Sequence, residues 1–322
     1  MTELNLDAQT RTLVKQVERA LGGYQLEFKI HEGKVGYLRH DQAQHYLRGG
    51  DKMVLELSDL TAPPSYTVAH ELLHILLLTK KIPEITFNLT TTKPALDTKL
   101  MAVGLELYEI VMHFTVYRMQ AEMGGLFTEK IQELYLKGLF ATLKPEPANG
   151  NDNWMILRTL GILDTLVFFK RDQDRVLPKL KQLYPKTTAA AVALYSDLTA
   201  HEVESAFGIR RAVVKLYHSL DEDLTAWGLA PLNLKQFVTL TLVLSARQTR
   251  LQVRQLFEIY HSALHENIHD TTAYLGFYKK DGQNSFVLPQ PKNHPEQEFQ
   301  RIYALTLGTY LDEIGGVPYL TR

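Results

Sequence analysis

The sequence predicts an α+β protein: a small sheet with two long helices in its first part, then a mainly helical second part. Three observations carry that expectation. Residues 24–30 alternate apolar and polar at the period of a strand. Two later stretches, around residues 64–79 and 95–123, are too long for strands and end in breakers or cations. Residues 144–153 (Lys-Pro-Glu-Pro-Ala-Asn-Gly-Asn-Asp-Asn) are polar and rich in proline, glycine and asparagine, and beyond them the pattern is helical to about Tyr274. The expected division is therefore a domain over 1–143 and a mostly α-helical domain of unassigned role over 154–322.

Composition narrows the function classes. The chain has 322 residues, 45% of them hydrophobic and 22% charged, as in an ordinary globular protein. A net charge of −1 gives no bulk electrostatic reason to bind nucleic acid or an anionic membrane. There is no cysteine, so disulfides and thiolate metal sites are excluded and any metal must rest on His, Asp or Glu. Met1–Ala20 mixes acidic and basic residues without the apolar centre of a signal peptide. No unbroken run reaches 18 apolar residues, and the greasiest stretch, Trp154–Phe169, is interrupted by Arg158 and Asp164. The expectation is a cytoplasmic protein with no membrane segment.

Taken in order, Leu13, Val17 and Leu21 give residues 8–21 an amphipathic helix that stops at Gly22-Gly23. Tyr24–Ile30 is the first strand. His31-Glu32-Gly33 reads as a turn, Lys34–Leu38 as the returning strand, and Met53–Leu57 as a third. Pro63-Pro64 open the next helix, and Lys80-Lys81 and Pro83 close it with cations at the negative end of its dipole. Ala95–Met123 is one long helix stopped by Gly124-Gly125. After the helical region come a loop over 279–295 and a last helix over 296–314.

The helix after Pro64 carries His70-Glu71-Leu72-Leu73-His74, an H-E-x-x-H motif. At 3.6 residues per turn the two histidines project about 40° apart, so both can bind one metal ion, and Glu71 lies about 60° round from His74. That places a carboxylate within reach of a water on the metal without making it a ligand. Every other position from Val68 to Leu76 is uncharged. The bland alternative is a core helix with two satisfied histidines, which buries three ionisable groups to no purpose. The stretch resembles the signature of the zincin metallopeptidases, in its uncharged flanks and in the hydrophobe two places after the second histidine. The resemblance implies one bound Zn²⁺, with Glu71 as general base. It also implies an edge strand beside the active-site helix that receives substrate in extended form, a part for which Met53–Leu57 is nominated.

A third ligand is expected on the long helix. Glu106, Glu109 and His113 lie at i, i+3 and i+7 within its apolar middle, in one stripe. The gluzincin branch that the motif resembles uses a glutamate on a second helix, often followed four residues later by a polar residue that orients a zinc ligand. Glu109 with His113 has that relation, and Glu106 with Ile110 does not, so Glu109 is the expected ligand with His113 behind it. The family's partner there is usually Asp. This leaves His113 open as a ligand itself, supported by Glu109. Without the metal, the stripe is a mutually hydrogen-bonded or solvated one.

Two stretches further on imitate functional motifs. His265-Glu266-Asn267-Ile268-His269 repeats H-E-x-x-H, but Asp270 and Thr271 stand where the signature wants uncharged and apolar residues. A histidine-rich surface helix is expected there, with a histidine reaching a catalytic cleft as the lesser reading and a second metal site as the least. Residues 198–220 resemble a helix-turn-helix, with Gly208 as the turn and Arg210, Arg211 and Lys215 on the groove face. Glu204 occupies a position that wants a small residue, and two ordinary packed helices are favoured over DNA binding.

The expected function is a single-zinc, gluzincin-like peptidase, with His70, His74 and Glu109 holding the metal and Glu71 moving the proton. Its expected substrate is a peptide or protein, with one specific regulatory protein as the narrower case. The competing expectation is a non-catalytic, zincin-derived module that binds a protein partner or DNA through its helical half.

Overall fold

The computed structural model describes residues 4–322 except 32, 34, 39–41, 50, 59–62, 149, 268–270, 289, 292–293 and 316. In chain order the elements begin α1 (Ala8–Ala20), β1 (Gln25–Ile30), β2 (Ala43–Arg48), β3 (Lys52–Leu57), α2 (Pro64–Leu78), β4 (Ile85–Thr86), β5 (Leu89–Thr90) and α3 (Pro94–Glu122). Next come α4 (Glu129–Thr142), α5 (Met155–Phe168), α6 (Leu177–Leu183), α7 (Pro185–Thr199), α8 (Ala206–Ala226) and α9 (Leu234–Phe237). The last are β6 (Thr239–Leu240), β7 (Leu242–Leu244), α10 (Val253–Leu256), β8 (Phe257–Glu266), β9 (Thr272–Tyr278), β10 (Gln283–Leu288), α11 (Pro295–Ala304), α12 (Leu307–Glu313) and β11 (Tyr319–Thr321). The class is α+β. The chain forms two compact units, one of residues 1–81 with 112–191 and the other of 82–111 with 192–322.

In the first unit, β1 runs parallel to β3 and β2 runs antiparallel to it, giving the order β1-β3-β2. Met53, Val54, Leu55 and Leu57 of β3 are buried, as a central strand requires. Beside the sheet, α2 is buried around most of its circumference, from Tyr66 to Leu77. Pro64 sits in its first turn, where a missing N–H costs nothing. Asp7 caps α1 by accepting from Thr10 N at 2.7 Å, and its own N–H donates to Ser65 Oγ at 2.8 Å, which ties the start of α1 to the first turn of α2. Gly138 of α4 lies against the Leu38 carbonyl, closer than any side chain permits.

Three expectations change in this unit. The returning strand is Ala43–Arg48, not Lys34–Leu38. Lys34 lies outside the described residues, and the chain from Gly36 to Leu38 bonds elsewhere: Leu38 N donates to Leu134 O and Lys137 Nζ to Gly36 O. Met53–Leu57 is the middle strand and cannot receive an added strand, so the nominated substrate edge is wrong; β1 and β2 are the strands paired on one side. The breaker-rich stretch 144–153 is no domain boundary, for it lies inside the first unit. Arg158, fully buried in α5, fastens it by donating from Nε to Lys144 O (2.7 Å), from Nη2 to Pro145 O (3.3 Å) and to the Asp152 carboxylate.

The second unit holds an antiparallel sheet ordered β10-β9-β8-β5, with β4 paired to β6 and β11 parallel to β7. Phe257, Tyr278, Phe286, Leu307 and Tyr310 centre its core, and Gly276 of β9 leaves room for the Phe286 ring. The expected helical second half is therefore half right: helices run to Phe237, and strands dominate from Thr239 to Leu288. The expected loop over 279–295 contains β10, and the expected last helix is two. It breaks at Leu305-Thr306, where Val253 N donates to Leu305 O and Leu307 N to Leu251 O.

The helix-turn-helix reading of residues 198–220, already the less favoured one, does not fit the geometry. Gly208 is in the first turn of α8, against the Glu202 carbonyl, rather than between helices. Arg210, expected on a groove face, is 2% exposed and donates to Asp281 (2.8 and 3.1 Å), to Leu240 O and Thr241 O and to Ser285 Oγ. It is a clamp inside the second unit.

Among the described residues, only α3 is long and apolar enough to cross a membrane, and 61% of its most apolar window is buried within the structure.

Candidate metal centre

The site is built on one side of α2. Tyr66, His70 and His74 follow one another at a single turn's spacing, so helical geometry alone puts them in one stripe. His113 comes to the same place from α3. The ligand nitrogens of His70, His74 and His113 lie within 4.8 Å of one another. The three rings face one point, with centroids 4.8 Å apart for His70–His74 and 5.0 Å for each of the pairs with His113.

The partners behind two of these rings fix which nitrogen faces inward. His113 Nδ1 lies 2.6 Å from Asp164 Oδ1, and a carboxylate oxygen only accepts, so Nδ1 carries the proton and Nε2 the lone pair. Gln120 Nε2 donates to Tyr66 O at 3.1 Å, which turns its Oε1 toward His70 Nδ1, also at 3.1 Å. His70 is thereby set in the same tautomer. His74 Nε2 lies 3.2 Å from His70 Nε2, so the two nitrogens share one point in space, where either a proton or a cation can stand between them.

Burial is the main electrostatic fact. It holds the His70 imidazole down to about 4, helped by the neighbouring His113, and holds His74 well below the ordinary histidine value, helped by His70 and His113. Both are neutral at pH 7, the form that binds metal.

Asp164 comes from α5, fully buried. Its second oxygen accepts from Tyr117 Oη at 3.0 Å and Tyr135 Oη at 2.5 Å. Burial first, then the Asp164 charge, pushes both tyrosine hydroxyls far up, so they remain donors. A buried carboxylate with three donors, one of them an inward-facing histidine, is the arrangement that orients metal-binding imidazoles.

Glu71 points from the neighbouring side of α2 and meets His45 of β2, whose Nδ1 donates to Glu71 Oε2 at 2.9 Å. Burial pushes the Glu71 carboxyl up, but the opposing causes, led by the bond from His45, outweigh it and leave it below the ordinary glutamate value. Glu71 is therefore an ionised base beside three inward-facing imidazoles.

The chain matches no protein-family model, no curated protein and no solved structure.

The sequence-expected site is thus partly reassembled. His70, His74 and Glu71 stand where the motif geometry puts them. Neither Glu109 nor Glu106 belongs to the converging group; both are half-buried residues of α3, and His113, the alternative, takes the third place. The reason is Asp164: a carboxylate already buried behind His113 supplies the support expected from Glu109 and turns the imidazole inward. His45, Gln120 and Asp164 were not foreseen as site residues. Asp164 alone left a signal, as an unexplained charge in the most apolar helix of the chain.

The second H-E-x-x-H begins on a strand, where a surface helix was expected. His265 and Glu266 lie in β8, and His269 lies outside the described residues.

The residues fit a divalent transition metal. Three nitrogen donors, two with their outer nitrogens committed to hydrogen-bond acceptors, make the partial set that leaves a coordination position open. All-imidazole donors suit zinc, and equally admit other borderline metals.

Proposed function

We propose that the chain is a zinc-dependent hydrolase of peptide bonds, with His70, His74 and His113 as the metal ligands and Glu71 as general base. The observation that carries this reading is the Glu71 carboxylate on the same helix as two imidazoles that converge with a third. A purely structural zinc needs no such base.

Bound at the three imidazoles, zinc supplies a Lewis acid that acidifies water and polarises a carbonyl. The chain's own residues do the rest. Glu71 accepts a proton from the attacking water and returns it to the leaving amine, a transfer that needs a carboxylate ionised at neutral pH. Asp164 holds His113 in its inward tautomer, and Gln120 does the same for His70. For the substrate, β2 replaces β3 as the strand that receives an extended peptide: it pairs with β3 on one side, carries His45 toward Glu71, and exposes Leu47 at 61%. A peptide or protein substrate and a cytoplasmic setting belong to the same proposal.

The test is hydrolysis of a mixed pool of quenched-fluorescent peptides by the zinc-loaded protein and by Glu71→Gln. Loss of general-base catalysis predicts a fall of about 10²–10⁴-fold with zinc still bound. Undiminished turnover in Glu71→Gln contradicts the mechanism, and a zinc-bound wild type that cleaves nothing supports instead a non-catalytic module.

A further inference from the structure

The hydrogen bond between His45 and Glu71 is unexplained by metal binding or by the fold. His45 is not among the three converging imidazoles, and it sits in the strand paired only on its β3 side, opposite Leu55. Its side chain is 22% exposed and that of Glu71 11%. A partly exposed histidine that turns inward to meet a nearly buried carboxylate does so against the pull of solvent. The geometry is also selective. A carboxylate only accepts, so His45 Nδ1 carries a proton; the contact leaves one Glu71 oxygen, Oε2, occupied and Oε1 free of this bond.

A glutamate side chain has three rotatable bonds, and a general base must hold one oxygen at hydrogen-bond distance from the proton it takes. Thr67, four residues before it on α2, is polar, but the hydrogen bond that holds the Glu71 carboxylate comes from His45. We propose that His45 is a positioning residue for the general base: by holding Oε2 it presents Oε1 to the reacting water. This rests on the peptidase reading above, and it gives β2 a role in catalysis besides any role in binding substrate. His45 acts through Glu71. It is neither a ligand nor itself the base.

The test combines three readouts. Long-range ¹H–¹⁵N correlation of the imidazoles is expected to show His45 as the Nδ1–H tautomer in wild type and to shift toward Nε2–H in Glu71→Ala. Titration with Zn²⁺ alone is expected to give His45→Ala an affinity within about threefold of wild type, whereas loss of a ligand's own support costs roughly 10–100-fold. With a quenched-fluorescent peptide that the wild type cleaves, His45→Ala is expected to lose about 10–100-fold in kcat with KM within twofold. His45→Asn, whose amide N–H stands where Nδ1–H stood, is expected to recover most of it.

An Nε2–H tautomer in wild type, a tenfold loss of zinc affinity in His45→Ala, or an unchanged kcat each overturns the proposal while leaving the peptidase reading intact. A wild type that binds zinc and cleaves no peptide in the pool overturns the peptidase reading, and with it the catalytic role of His45, even where the tautomer is as expected.

Discussion

The chain contains the same five-residue pattern twice, and the two copies come to opposite ends. On α2, His70 and His74 are four residues apart along a helix, a rise of about 6 Å on nearly one face, and their nitrogens meet at 3.2 Å. The second copy begins on a strand. Neighbours on a strand point to opposite faces, so His265 and Glu266 do not stand together as residues one helical turn apart do. His265 and Glu266 instead pair in register with Thr90 and Leu89 of β5. The motif is thus a statement about a helix, and the flanking residues tell which copy is helical: Val68–Leu76 can be buried whole, whereas Asp270 and Thr271 cannot.

A second lesson is that two histidines one turn apart are only half a site. What completes the first copy lies elsewhere in the chain: His113, with Asp164 of α5 behind it, and Gln120 behind His70. Among the described residues, no cluster of three metal-ligating side chains includes the second copy.

Three experiments sharpen the contrast, beginning with the one of largest effect. Removing zinc with a chelator is expected to lower the stability of the first unit. A metal at 1,000 times its dissociation constant contributes about 4 kcal/mol to the folded state, so the thermal midpoint should fall clearly in wild type and hardly at all in His113→Ala. Differential scanning calorimetry with and without chelator reads this directly. Next, Asp164→Asn removes the charge behind His113 and is expected to weaken zinc binding by roughly 10–100-fold; competition with a chromogenic chelator measures it. An unchanged affinity there would mean that His113 is turned inward by packing alone. The smallest effect belongs to the second copy, where His265→Ala and Glu266→Gln are expected to leave zinc content and any hydrolysis unaltered within error.

Much of the first unit was legible in the sequence. Periodicity and punctuation place α1, β1, β3, α2, α3 and α5 to within a residue or two, because each has a clear apolar rhythm and a clear stop. Three things were not legible, for distinct reasons. The support of His113 comes from a residue 51 positions away, and no local pattern encodes which helix will lie behind a histidine. β8 has apolar residues at Phe257, Tyr260 and Leu264, which is helical spacing, so its strand state follows from pairing with β9 rather than from its own sequence. β10 begins Gln283-Asn284-Ser285, which reads as a loop, yet all three are buried: Gln283 donates to Val238 O, Asn284 to Gln236 O, and Ser285 Oγ receives Arg210. Buried polar residues that find partners are invisible to a rule that expects cores to be apolar. Arg210 shows the same limit from the other side, a cation expected at the surface and found in the core.

The central claim is that three histidines, and not two histidines and a glutamate, form the metal centre. Elemental analysis of the zinc-reconstituted protein tests it most directly, run on wild type, His74→Ala, His113→Ala and Glu109→Ala, with circular dichroism to confirm that each variant is folded. The account predicts one zinc per chain in wild type and in Glu109→Ala, and loss of zinc in both histidine variants. Zinc retained in a folded His113→Ala, or lost in a folded Glu109→Ala, would contradict it.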